Sequence, residues 1–126
     1  MPDGRSSGLT LPEFLEAAQT ANDWLDSDVA PQYRAQPLAH LWARVTKVCS
    51  EAGEVMDALS ALTGENPRKG VCGTEAELLG ELGDAAIAPI LAIQHLTGDT
   101  AATWAVVSAA LVKVRERAAG HAEVAR

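Results

Sequence analysis

With 126 residues, 48% of them hydrophobic and 21% charged, the chain is long enough for one core and too apolar to stay disordered. Ten Lys and Arg stand against seventeen Asp and Glu, a formal charge of −7. That balance removes the diffuse attraction on which binding to a nucleic-acid polymer depends, although a divalent cation can still bring in a small phosphate ester. No apolar run reaches the ~18 residues of a membrane span, and the first eight residues carry no apolar signal region. A cytoplasmic protein with no membrane partner is expected, its two cysteines, Cys49 and Cys72, reduced and outside any Cys-x-x-Cys pair.

Strand signals are nearly absent, and helix punctuation recurs. Thr10-Leu11-Pro12-Glu13 forms a capping box with an early proline, opening a first helix that runs to about Asp26 and buries Leu11, Phe14, Leu15, Ala18, Ala21 and Leu25. Pro31 and Pro37 mark the following stretch as a connector. A second helix is predicted over 38–62, with Leu38, Leu41, Trp42, Val45, Val48, Ala52, Val55, Met56, Leu59 and Leu62 as its apolar stripe and Gly64 as its stop. Residues 65–73 read as a loop. Thr74-Glu75-Ala76-Glu77 repeats the capping box and starts a third helix, kinked at Pro89 and ending near Gly98. Thr100 caps a fourth, with Trp104, Val107, Leu111 and Val114 inward and fraying near Gly120. The expected architecture is all-α and four-helix-bundle-like. Residues 10–120 make its single domain, 1–9 a flexible lead and 121–126 a tail.

Four acidic residues stand apart from the solvated majority. Glu51 and Glu54 on the second helix, and Glu81 and Asp84 on the third, are spaced i, i+3, so each pair shares one helix face beside the apolar stripe. Glu54 lies ten residues before Gly64 and Glu81 eight after Gly73. Those arms are roughly 15 Å and 12 Å at the helical rise, so an antiparallel hairpin sets the pairs at similar heights. Converging carboxylates repel, and a hard divalent cation with oxygen ligands relieves the repulsion. Gly53 and Gly83 lie inside the two pairs, at helix-interior positions where glycine costs about 1 kcal/mol and asks for a close neighbour. A di-iron oxidase bundle is disfavoured, because none of His40, His95 or His121 completes a Glu-x-x-His motif.

Lys47-x-x-x-Glu51-Ala52-Gly53-Glu54-Val55, followed by Glu81-Leu82-Gly83-Asp84, resembles the MazG-like all-α nucleoside triphosphate pyrophosphohydrolases. That family's signature is Glu-Glu-x-x-Glu, a spacer of roughly 12 to 28 residues, then Glu-x-x-Asp. Here 26 residues, 55 to 80, lie between, and Ser50 stands where the first Glu of the pair would be. The resemblance covers about residues 38–99. It implies a four-helix MazG-type fold in a homodimer or homotetramer, with Mg²⁺ or Mn²⁺ at Glu51, Glu54, Glu81 and Asp84. It further implies catalysis by those carboxylates of the hydrolysis of a nucleoside triphosphate to the monophosphate and pyrophosphate.

Basic residues can complete a phosphate site: Lys47 one turn before Glu51, Lys113 and Arg117 on one face of the fourth helix, Arg68 and Lys69 in the intervening loop. Trp42, with His40 nearby, is the candidate for stacking on a base, while Trp24, Trp104 and His95 read as core, interface or surface. The competing reading is a non-catalytic helical interaction or regulatory module that keeps the fold, motivated by Ser50 and the alanine-rich helices.

Overall fold

The computed structural model describes residues 8–29, 31–33 and 35–124, and they form an all-α, four-helix-bundle-like fold. Helix α1 spans Leu11–Trp24 and continues as a π turn, Leu25–Val29; a 3₁₀ turn, Pro31–Tyr33, leads to α2, Pro37–Thr63. Helices α3, Glu75–Thr97, and α4, Thr100–Val124, complete the chain. Residues 1–7, most of the expected flexible lead, fall outside the described residues, as do residues 125 and 126 of the expected tail.

Both capping boxes form. Thr10 and Thr74 accept from the backbone N–H groups of Glu13 and Glu77, whose carboxylates accept in return from the threonine N–H groups at 2.8 Å. Gly64 and Gly98 end α2 and α3 in the left-handed region, at φ 68° and 65°. Helix boundaries differ from the sequence expectation in three places. Pro37, not Leu38, is the first residue of α2, since proline at that position loses no needed donor. Asp99, not Thr100, caps α4: its carboxylate accepts from the Ala102 N–H at 3.0 Å. And α4 runs through Gly120 to Val124, because a single glycine costs a helix less than a full stop requires. Helix α3 is unbroken across Pro89.

Helices α2 and α3 form a closely packed antiparallel hairpin; α3 also packs on α1 and α4, and α4 packs on α1 as well. The interior is small and unusually polar. Ala18, Ala88 and Ala92 are its buried apolar residues, whereas Asn22, His40, Arg44, Glu51, Gln94 and Thr103 are buried polar ones. Gln94, fully enclosed, donates to Gln19 on α1 at 2.7 Å and accepts from the Thr103 hydroxyl on α4 at 2.7 Å. Many residues expected in the core are exposed in the single chain, among them Leu11, Trp42, Val45, Met56, Leu59, Trp104, Leu111 and Val114. The periodicity located the apolar stripes correctly as stripes, but four helices of this length present more of them than one chain can cover.

The hairpin turn is tight. A Cβ on Gly64 would meet the Val71 side chain at 2.9 Å and its backbone nitrogen at 3.1 Å; one on Gly73 would meet Ala61 Cβ at 2.8 Å. Gly64→Ala and Gly73→Ala should each lower the unfolding free energy by about 1–3 kcal/mol, read as a lower urea midpoint at an unchanged m-value in equilibrium unfolding followed by circular dichroism.

Candidate metal centre

Helix α2 turns Arg44, Lys47 and Glu51 onto one face at three- and four-residue steps, and α3 brings Glu81 and Asp84 against it. Carboxylate oxygens of Glu51, Glu81 and Asp84 lie within 4.8 Å of one another, with Glu51 buried, Glu81 half-buried and Asp84 exposed. An octahedral Mg²⁺ with oxygens at roughly 2.1 Å needs ligand separations of roughly 3.0 to 4.2 Å, so this donor set and spacing fit a hard divalent cation. Of the four acids singled out from the sequence, these three converge. Glu54 stands beside them: the negative charge of Glu51, then burial, then a hydrogen bond to Glu51 and the charge of Glu81 raise its pKa above the ordinary carboxylate value. Lys47 pairs with Glu51 one turn away; that contact lowers the Glu51 pKa and raises that of Lys47.

Beside the acids opens a cavity of about 550 Å³. Glu51, Lys47, Arg44 and His40 line it along α2, while Asp84, Ile87, Ala88 and Leu91 line it along α3, with Ala43 and Leu25 completing an apolar wall. Because the helices are antiparallel, the acids occupy one end and His40 with Leu91 the other, roughly 16 Å away at the helical rise.

A second cluster, which sequence spacing did not suggest, closes that far end. Asp26 Oδ1 lies 3.1 Å from His40 Nε2 and 3.3 Å from His95 Nδ1, and the two imidazole centroids are 4.4 Å apart. This part-buried His, His and Asp set is also geometrically compatible with a divalent ion. Arg44 already supplies a cation there: Nη2 donates to Asp26 Oδ1 at 2.7 Å and to Asn22 Oδ1 at 3.0 Å, and Nε donates to His40 Nε2 at 3.3 Å. Its Nη1 is buried and without a hydrogen-bond partner. The Arg44 signal was present in the sequence, seven residues before Glu51 on the same helix face. Asp26 and His95 are 69 residues apart and meet only through tertiary packing.

The remaining sequence candidates fall elsewhere. Trp42 points outward from α2, two-thirds exposed, and does not line the cavity. Lys69 lines a separate cavity of about 350 Å³ at the α2–α3 turn, with Asp57, Ser60, Asn66 and Cys72, and Arg68 is exposed in the same turn. Lys113 and Arg117 are exposed on α4 and do not line the cavity beside the acids. Both cysteines are free. Among the described residues no helix is long and apolar enough to cross a membrane. No family model, curated protein or solved structure matches the chain.

The second cluster contributes a pH dependence to the stability of the fold. Burial, then the charges of His95 and Arg44, lower the His40 pKa against the opposing pull of Asp26. Burial raises that of Asp26, but the Arg44 hydrogen bond and charge, with the two histidines, bring it below its ordinary value. A histidine held neutral in the fold contributes stability above its unfolded pKa of about 6.5, lost as pH falls toward the folded pKa. A carboxylate with a lowered pKa contributes above about 3.9, lost as pH falls through its folded pKa. Both act in one direction. In metal-free buffer, the Tm should fall by several degrees between about pH 7 and about pH 5, and His40→Gln should flatten that dependence while leaving the steeper loss near pH 4.

Proposed function

We propose that the protein is a Mg²⁺-dependent nucleoside triphosphate pyrophosphohydrolase with a MazG-type site, in which Mn²⁺ can substitute. The observation that carries this reading is the convergence of Glu51, Glu81 and Asp84 oxygens at the mouth of an elongated cavity with an apolar wall. A triphosphate takes the acidic end and a nucleoside the apolar length, an assignment that agrees with the motif resemblance and with a chain of net charge −7. A divalent ion bound there would neutralise phosphate charge and lower the pKa of its bound water.

The chain's own groups have separable tasks. Glu51, Glu81 and Asp84 would hold the ion. Lys47, which pairs with Glu51 at this end of the cavity, would offer its Nζ to the phosphate oxygens. Glu54, whose raised pKa suits it to take a proton, accepts one from the attacking water at its carboxylate oxygen. The water oxygen bonds to the α-phosphorus, the bond from that phosphorus to the bridging oxygen breaks, and pyrophosphate leaves with that oxygen. Leu25, Ala43, Ile87, Ala88 and Leu91 exclude water from the nucleoside.

Pyrophosphate release from a panel of dNTPs and NTPs with Mg²⁺ tests the proposal. Glu51→Gln, Glu81→Gln and Asp84→Asn should each reduce kcat/KM roughly 100-fold or more with the helical circular dichroism preserved, and chelation should abolish release. A folded protein that turns over no nucleotide in Mg²⁺ or Mn²⁺ overturns the assignment and favours the non-catalytic module.

A further inference from the structure

The Asp26, His40 and His95 cluster takes no part in the phosphate chemistry, and its donors differ from those at the acid end. Two imidazoles and one carboxylate make a borderline-soft set that suits Zn²⁺ and similar transition-metal ions, whereas Mg²⁺ takes oxygen ligands. Each donor comes from a different element: Asp26 from the π turn, His40 from α2 and His95 from α3. Their ligand atoms lie within 4.8 Å of one another, Asp26 Oδ1 being 3.1 Å from His40 Nε2 and 3.3 Å from His95 Nδ1. A tetrahedral ion with bonds of about 2.0–2.1 Å needs ligand separations of roughly 3.3 Å, so the donors already stand near that spacing.

Neighbouring groups hold these donors in place. Asn22 Nδ2 donates to Asp26 Oδ2 at 3.3 Å, which leaves Oδ1 as the oxygen turned to the histidines. Gln94, the residue before His95, is fully enclosed and bonded to α1 and α4, and so fixes the rotation of α3 there. The π turn that carries Asp26 is a rare conformation found mostly at functional sites. Arg44 alone does not account for the cluster. Its guanidinium donates through Nη2 to Asp26 Oδ1 and through Nε to His40 Nε2, the two atoms an ion would take, yet its Nη1 is buried with no hydrogen-bond partner. An enclosed donor left unpaired is a cost that a cluster serving only to neutralise Arg44 would not carry. Because Nε2 of His40 accepts from Arg44, its lone pair faces a carboxylate oxygen 3.1 Å away, and only a cation between two acceptors holds them so close. His40 and Arg44 line the cavity and the Asp26 side chain is 36% exposed, so an ion can reach all three ligands.

We propose that Asp26 Oδ1, His40 Nε2 and His95 Nδ1 form a second metal site, selective for Zn²⁺-class transition-metal ions, in which the ion takes the place of Arg44 at Oδ1 and Nε2. Water fills the fourth tetrahedral position. Arg44 keeps its bonds from Nη2 to the Asn22 carbonyl and Oδ1, neither of which is a ligand, and stays beside the site. Exchange with a guanidinium gives the site an unusual sign: removing the neighbouring cation strengthens metal binding. The site shares no residue with the acid cluster, roughly 16 Å away along α2, and does not depend on the catalytic reading.

Imidazole ¹⁵N NMR of the full chain, titrated with Zn²⁺ in excess Mg²⁺, tests this directly, because the chain has three histidines and His121 serves as an internal reference. Zn²⁺ should move the ring signals of His40 and His95 with one shared affinity and leave His121 in place, and Mg²⁺ alone should move none of them. Read from the same signals, Asp26→Asn and His95→Gln should each weaken Zn²⁺ binding at least 10-fold. Arg44→Met should strengthen it roughly tenfold, since the ion no longer displaces two charge-assisted hydrogen bonds. His40 and His95 signals indifferent to Zn²⁺, an equal shift of His121, movement by Mg²⁺ alone, an affinity unchanged by His95→Gln or one lowered by Arg44→Met overturns the proposal. The wild-type titration decides even where a variant fails to fold, and it reads ligation rather than turnover, so failure of the pyrophosphohydrolase reading leaves it intact.

Discussion

The register of α3 against α2 is fixed in the turn between them, where the backbone N–H groups of Cys72 and Gly73 both donate to the Ala61 carbonyl, at 3.0 and 3.1 Å. Gly64 supplies the left-handed residue that ends α2, and Gly73 lets the returning strand of chain lie directly on Ala61. From that clamp the geometry propagates by helical rise. A slip of one residue would rotate Glu81 and Asp84 by about 100° away from Glu51, and the acid cluster would no longer exist. The chemistry of the site is thus carried by carboxylates but positioned by glycines two to four turns distant.

Lys47 offsets part of the repulsion within that cluster. Three acids and Glu54 would strongly oppose one another across a hairpin; the ammonium group on the preceding turn of α2 pairs with Glu51, the buried member. Glu54 carries the residual strain as a raised pKa. At the other end of the cavity Arg44 plays the reciprocal part: Asp26 and Asn22 take its Nη2, which offsets the cost of burying the guanidinium, while Nη1 stays without a partner.

Local signals in the sequence were sufficient for the helices. Threonine followed three residues on by glutamate, and glycine after the last apolar position, are short-range chemistry and hold wherever the chain places them. The i, i+3 acid pairs were legible for the same reason, and a loop of known length fixed their heights. Asp26 and His95 were not legible, because their meeting depends on how α1 leans on α3. Burial was misjudged most. Trp42 and Leu111 have the right spacing for a core, yet spacing reports that a face is apolar, not whether that face meets the same chain. The buried places went instead to Gln94, Thr103, Asn22 and Arg44, which have no periodic signature at all.

The Gln19–Gln94–Thr103 line has a consequence for how firmly the bundle is keyed. Oil-like contacts between helices are interchangeable, and a helix can slide over a leucine at little cost. An amide that donates to one neighbour and accepts from another matches only one alignment of α1, α3 and α4. Sliding any of the three by a turn would strand a fully enclosed carboxamide in a medium unable to solvate it. The molecule has given up some greasy adhesion in its interior and received in return a lock with a single setting.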